Sequence, residues 1–189
     1  MGKLVVTEFV TLDGVIEDPG GSENTPNGGW TFKCDQGPDG MPFKFAELMA
    51  SDAQLLGRVT YEGFAAAWPT MEGTGEFGRK MNDMPKFVVS KTLGSPEWNN
   101  TTVLRGDLVE EVDNLKQQFA GDILVAGSSR LVHSLLAHDL VDELHLMVFP
   151  LVLGSGKRLF ADGADPISMN LVETKQTGSV VILTLRRER

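Results

Sequence analysis

The stretch Ile123-Leu124-Val125-Ala126-Gly127-Ser128-Ser129-Arg130-Leu131-Val132 reads as strand, turn and helix within ten residues. Behind Asp122 comes a short apolar, partly β-branched run, the pattern of a strand buried on both faces. A glycine ends the run and two serines follow. Leu131, Val132, Leu135 and Leu136 then recur at helical spacing. Such a junction aims free backbone N–H groups and the positive end of a helix dipole at one point, where an anion such as phosphate binds. Ser128 or Ser129 then offers a hydroxyl and Arg130 a charge. The same residues also read as a plain turn, with Gly127 its pivot and Ser128 an N-cap, because the full G-x-G-x-x-G pattern is absent.

The totals frame that junction. A chain of 189 residues suits one α/β domain with a real core, here residues 1–189. The mix of 41% hydrophobic and 23% charged residues is that of a globular protein. A net charge of −9 argues against broad binding to nucleic acid or an anionic membrane surface, which makes any local basic cluster worth finding. The single cysteine, Cys34, fits a reducing, cytoplasmic setting and reads as a plain thiol. No signal peptide is legible, and the longest apolar run, residues 146–153, is broken by Pro150.

Outward from the junction, strands are expected at residues 4–10, 52–57, 86–90, 101–104, 142–149, 171–177 and 180–186. Helices are expected at 41–50, from Arg58, at 107–119 and from Ser129. Asp107 with Glu110 reads as a capping box. Residues 17–40, rich in Gly, Pro, Asp and Asn, read as a long functional loop carrying Trp30 and Phe32. This order predicts a three-layer α/β sandwich, its central sheet mostly parallel, with an antiparallel C-terminal edge.

Open α/β sheets bind ligands beyond the carboxyl ends of their strands. Three such ends carry Gly57-Arg58-Val59-Thr60, Ser90-Lys91-Thr92 and Gly127-Ser128-Ser129-Arg130. Each brings a hydroxyl and a cation, which suits a ligand with several phosphates. Lys91 flanked by hydroxyls suits a ribose 2′-phosphate, where an NAD site would want Asp or Glu, so the reading is NADPH. No Walker loop occurs.

The sequence here resembles the dihydrofolate reductase fold, and more closely the reductase domain of the bifunctional riboflavin-biosynthesis deaminase/reductases and its short stand-alone relatives. The resemblance rests on residues 11–16, 52–62, 86–92 and 125–136, and above all on Leu140-Val141-Asp142-Glu143-Leu144 leading to Phe149-Pro150-Leu151-Val152-Leu153-Gly154-Ser155-Gly156. It implies NADPH held by Gly57, Arg58, Thr60 and Tyr61, by Ser90, Lys91 and Thr92, and by Gly127, Ser128, Ser129, Arg130 and Leu131. It implies a nicotinamide near Leu12, Gly14, Val15 and Ile16. Ala126 departs from the family's usual Gly-Gly but is small enough to let the backbone approach a pyrophosphate. A homodimer is implied as well, with the strand at 144–149 and the closing hairpin as candidate interface elements.

On the substrate side, Asp13 and Glu17 are candidate catalytic acids, and Trp30 and Phe45 candidate substrate contacts. Asp13 also reads as a turn residue. Folate-reducing members place an acid early on the helix after the loop; here Glu47 is its only acid and stands a turn late. The three histidines do not form a metal site: His133 and His138 lie on different helix faces and His145 is alone in a strand. The expected activity is reduction of a small pyrimidine- or pterin-like heterocycle, as in 5-amino-6-(5-phosphoribosylamino)uracil reductase. The alternatives are a non-catalytic NADPH-binding module and a dihydrofolate reductase.

Overall fold

The structure, a computed structural model, describes residues 1–188. The chain runs β1 (Leu4–Thr11), α1 (Gly40–Ala50), β2 (Ser51–Gly57), α2 (Arg58–Ala67), α3 (Gly75–Asp83), β3 (Lys86–Val89), β4 (Thr101–Leu104), α4 (Leu108–Gln118), β5 (Asp122–Val125), α5 (Ser129–Ala137), β6 (Glu143–Phe149), β7 (Met169–Thr177) and β8 (Val180–Arg187). The strands form one sheet in the order β4-β3-β2-β5-β1-β6-β8-β7. The first six are parallel, while β8 runs antiparallel to β6 and β7 antiparallel to β8. The expected mostly parallel sheet with an antiparallel edge is therefore what forms.

Alternation along β1 explains the layers. Leu4, Val6 and Val10 face one core with Val112 and Leu115 of α4 and Leu131, Val132 and Leu135 of α5. Val5 faces a second core with Leu48 of α1, Tyr61 of α2 and Met81 of α3. No helix among the described residues is long and apolar enough to cross a membrane.

Several expectations change in detail. Pro42 sits inside the first turn of α1, where the missing N–H has no partner to lose. Asp107 caps α4 by accepting from the Val109 and Glu110 N–H groups, but Glu111, not Glu110, bonds back, to the Gly106 N–H at 3.1 Å. Ser128 precedes α5 without a side-chain capping bond. β6 lies between β1 and β8, and its apolar side chains pack into the cores on both faces of the sheet.

The long loop is built around a buried acid. Asp18 accepts from the Glu23 and Thr25 N–H groups and the Thr25 hydroxyl, each at 3.0 Å. Burial raises the Asp18 pKa, but those donors outweigh it and hold the carboxyl below its ordinary value. Trp30 is fully enclosed, edge-on to Phe149 at 5.2 Å, with its indole N–H donated to the Glu17 carbonyl. The loop's aromatic therefore anchors the core, and the expectation that Trp30 contacts substrate is corrected.

Candidate active site

The sheet order doubles back at β5, which lies between β2 and β1. β1 pairs with β5 only from Leu4 to Val6, opposite Ile123 to Val125, yet continues along β6 as far as Thr11. Past Val125 the chain leans the other way, and the Gly57 N–H donates to the Gly127 carbonyl at 3.2 Å. β1 and the end of β5 thus diverge at the topological switch point, the place where open α/β sheets form their ligand crevice.

The crevice wall is close-packed backbone. A Cβ on Gly57 would stand 2.2 Å from the Ser128 hydroxyl and 2.9 Å from its nitrogen. Gly127, at φ +97°, lies against the Thr60 side chain. Two of the expected strand ends therefore meet. The third is next to them, because Val89 pairs with Gly57 and Ser90 and Lys91 follow directly. There the Ser90 hydroxyl accepts from the Thr92 and Leu93 N–H groups, closing a tight turn. Arg105, at the end of β4, clasps that turn by donating to the Ser90 and Leu93 carbonyls.

Arg105 is a fourth cation at this edge. Sequence reading passed over it although Leu104-Arg105 repeats the strand-then-cation signal of the other ends. Lys91 and Arg130 are exposed. Arg58 is not free, since one of its guanidinium nitrogens lies 2.9 Å from both Glu62 oxygens.

Two polar groups on β1 were also missed. Glu8 is 8% exposed, and its Oε1 has no hydrogen-bond partner among the described residues. That oxygen lies 3.7 Å from the position a Gly127 Cβ would take, so the carboxyl reaches toward the turn that follows β5. Burial drives its pKa up to about 8; Lys44 opposes the shift and Glu47 adds to it. The signal was present in the sequence: Glu8 shares the parity of Val6 and Val10, and an acid on an apolar strand face is an anomaly.

On the other face, Thr7 meets Lys44 and Glu47 of α1. Glu47 is ion-paired to Lys44 at 3.2 Å and bonds His145 Nδ1 at 2.8 Å. Burial raises the Glu47 pKa, but Lys44, His145 and Thr7 together hold the acid below its usual value. His145, expected to be alone, is therefore one link of a buried polar chain that continues to Glu143.

The two expected catalytic acids have other tasks. Asp13 accepts from the Thr11 hydroxyl at 2.6 Å and from the Gly154 and Leu153 N–H groups at 2.7 and 3.2 Å. The Thr11 bond, then the Gly154 bond, pull its pKa down to about 2. A group so fully ionised at neutral pH is a staple between β1 and the loop at 151–156, not a proton donor. Glu17 is ion-paired to Lys157 at 2.8 Å.

Among the expected coenzyme contacts, Val15, Ile16, Tyr61 and Leu131 have buried side chains. Tyr61 instead takes the Trp98 N–H on its hydroxyl at 3.1 Å. Phe45 stays partly exposed, its ring centroid 6.5 Å from that of Phe77 of α3. No cluster of metal-binding side chains occurs among the described residues.

Comparison with known proteins adds the family. The profile described as RibD C-terminal domain matches residues 2–183. The chain belongs to the RibD C-terminal domain family. Among its relatives are two uncharacterised Bacillus subtilis proteins. YyaP is 29% identical, over 95% of this chain and 92% of its own. YwjB is 28% identical, over 96% and 95%.

Solved structures share the fold. A putative riboflavin biosynthesis protein from Shewanella sp. PV-4 superposes with a TM-score of 0.77 at 24% identity, covering 99% of both chains. RibD of Acinetobacter baumannii gives 0.68 at 16% identity, covering all of this chain and 59% of that one. A pyrimidine reductase-like protein from Corynebacterium diphtheriae gives 0.64 at 12%, covering all of this chain and 92% of that one. Membership of the family supports a reductase-like role.

Proposed function

We propose that this RibD C-terminal domain protein is an NADPH-dependent reductase of a small heterocycle, pyrimidine- or pterin-like. The observation that carries the reading is the crevice between β1 and β5, walled by Gly57, Gly127 and Ser128, with hydroxyls and cations on the neighbouring strand ends. Gly57 lets the ends of β2 and β5 approach closely, which sets the N-termini of α2 and α5 side by side, and their free backbone N–H groups suit a pyrophosphate. The Ser90–Thr92 turn, with Lys91 beside it and Arg105 behind it, fits a 2′-phosphate. The likeness to a riboflavin biosynthesis protein and to a pyrimidine reductase-like protein favours this substrate class over a folate.

Bound NADPH supplies a hydride, and the rest falls to the chain. Leu12 and Val152, largely exposed at the end of β1, offer apolar cover for a flat ring. The Asp13 staple holds their two loops together. The reaction then depends mainly on holding donor and acceptor carbons in register and keeping water out.

The purified protein should bind NADPH well and NADH weakly. Lys91→Ala should raise the NADPH dissociation constant about tenfold, the worth of one charge-assisted phosphate contact, and leave NADH unchanged. Equal affinity for the two coenzymes in fluorescence titration sinks the reading. Loss of NADPH absorbance with a panel of aminopyrimidines and pterins then identifies the acceptor.

The partner we infer is a second copy of the chain. β7 is the outer edge of the sheet, with exposed Leu171 and Val172. Such an edge invites pairing across a two-fold axis. Sedimentation should give the mass of two chains, and Leu171→Lys should reduce it to one; a parent that sediments as one chain rejects the dimer.

A further inference from the structure

We propose that Glu8 is a coenzyme-binding residue that works as a neutral carboxylic acid, donating a hydrogen bond into the crevice, so that NADPH binding is coupled to one proton on this side chain. The inference rests on the coenzyme reading above and adds a residue to it. Glu8 stands on β1 two residues past the last β1–β5 pair, on the strand edge that the departure of β5 leaves open. Its carboxyl reaches toward the turn at Gly127, beside Thr60, and its Oε1 is buried without a partner. An orphaned buried acceptor is costly, so a polar partner at this point is favoured. The orphan faces the wall formed by the pyrophosphate-type turn.

The surroundings select the protonated form. From α1, Lys44 attracts the ionised carboxyl, but its ammonium is already shared by Thr7 and Glu47. Glu47 repels it. On β6, His145 is turned to Glu47 and Glu143. On α2, Arg58 is turned to Glu62. Arg130 at the start of α5 is exposed. Among the described residues no cation is ion-paired to Glu8, and burial raises its pKa to about 8. At neutral pH it therefore carries a proton to donate. Once ionised, it would face a polyanionic ligand as a like charge across a short, water-poor gap.

NADPH titrations of the parent and of Glu8→Gln between pH 6.5 and 9.5 test this. The parent affinity should be level up to about pH 7.5 and then fall by about tenfold per pH unit above 8, as one-proton linkage requires. Glu8→Gln, an amide that donates at every pH, should bind at near-parental strength at pH 6.5 and show no such fall. The ligand's own 2′-phosphate titrates near 6, below this window. Titration of Lys86 is common to both proteins and cancels in the comparison.

A parent profile that stays level to pH 9.5, or a Glu8→Gln profile that falls in parallel with it, overturns the proposal and leaves the coenzyme reading standing. Absence of NADPH binding at every pH overturns the coenzyme reading, and this proposal with it.

Discussion

Glu8→Gln should be more stable than the parent at pH 9 and close to it at pH 4.5. The folded carboxyl titrates at about 8, against an ordinary value of 4.5. Between those two values the folded protein keeps a proton that the unfolded chain releases. A raised pKa of this kind contributes stability that is complete below about pH 4.5 and is lost as pH climbs through 8. Each unit is worth about 1.4 kcal/mol, so the pH-dependent difference between the two proteins should approach about 4–5 kcal/mol. Glutamine has nearly the same shape and never ionises, so it escapes that loss. Urea unfolding at pH 5, 7 and 9 measures it. A stability difference that does not change with pH would falsify the buried, proton-bearing state of Glu8. A residue that weakens the fold in this way at neutral pH and above is the kind retained for a task in the site.

Gly57→Ala should cost about 2–3 kcal/mol of stability and abolish measurable NADPH binding. The reason is space, not backbone freedom. Gly57 has φ −76° and ψ 156°, which any residue adopts. Its added methyl would meet the Ser128 hydroxyl at 2.2 Å, which can swing away, and the Ser128 nitrogen at 2.9 Å, which cannot. The end of β5 would have to move from β2, and the crevice wall would move with it. Overpacking of this kind typically costs 1–3 kcal/mol. Gly63 is the control. It lies within α2 with open space around it, so Gly63→Ala should stabilise by about 0.5–1 kcal/mol. If the two substitutions behave alike, the close approach of β2 and β5 is not what shapes the site.

Much of the fold was legible because its signals are short. Strand runs such as residues 122–125, the glycines at 57 and 127, and the apolar stripes of α4 and α5 are each read from residues within about ten positions of one another. The three strand ends could therefore be found and placed at the same edge of a sheet.

The reading went astray where a residue's partner is distant in sequence. Asp13 looked like a free acid beside the nicotinamide, yet its donors, Leu153 and Gly154, come from 140 residues later. Trp30 looked available to a ligand on a polar loop, yet β6 and β8 supply the walls that enclose it. His145 looked solitary, yet Glu47 reaches it from α1.

Hydrophobic period and turn chemistry are properties of neighbours along the chain, and they were enough for the elements, their order and the edge where a phosphate-bearing ligand would sit. Which acid keeps its proton is another kind of property. It depends on how much water the turns at Gly57 and Gly127 exclude, and on which cations have already been claimed. Those are sums over residues brought together from α1, α2, β5 and β6. Only the folded chain assembles them, and they raise the pKa of Glu8 while the donors around Asp13 lower its own.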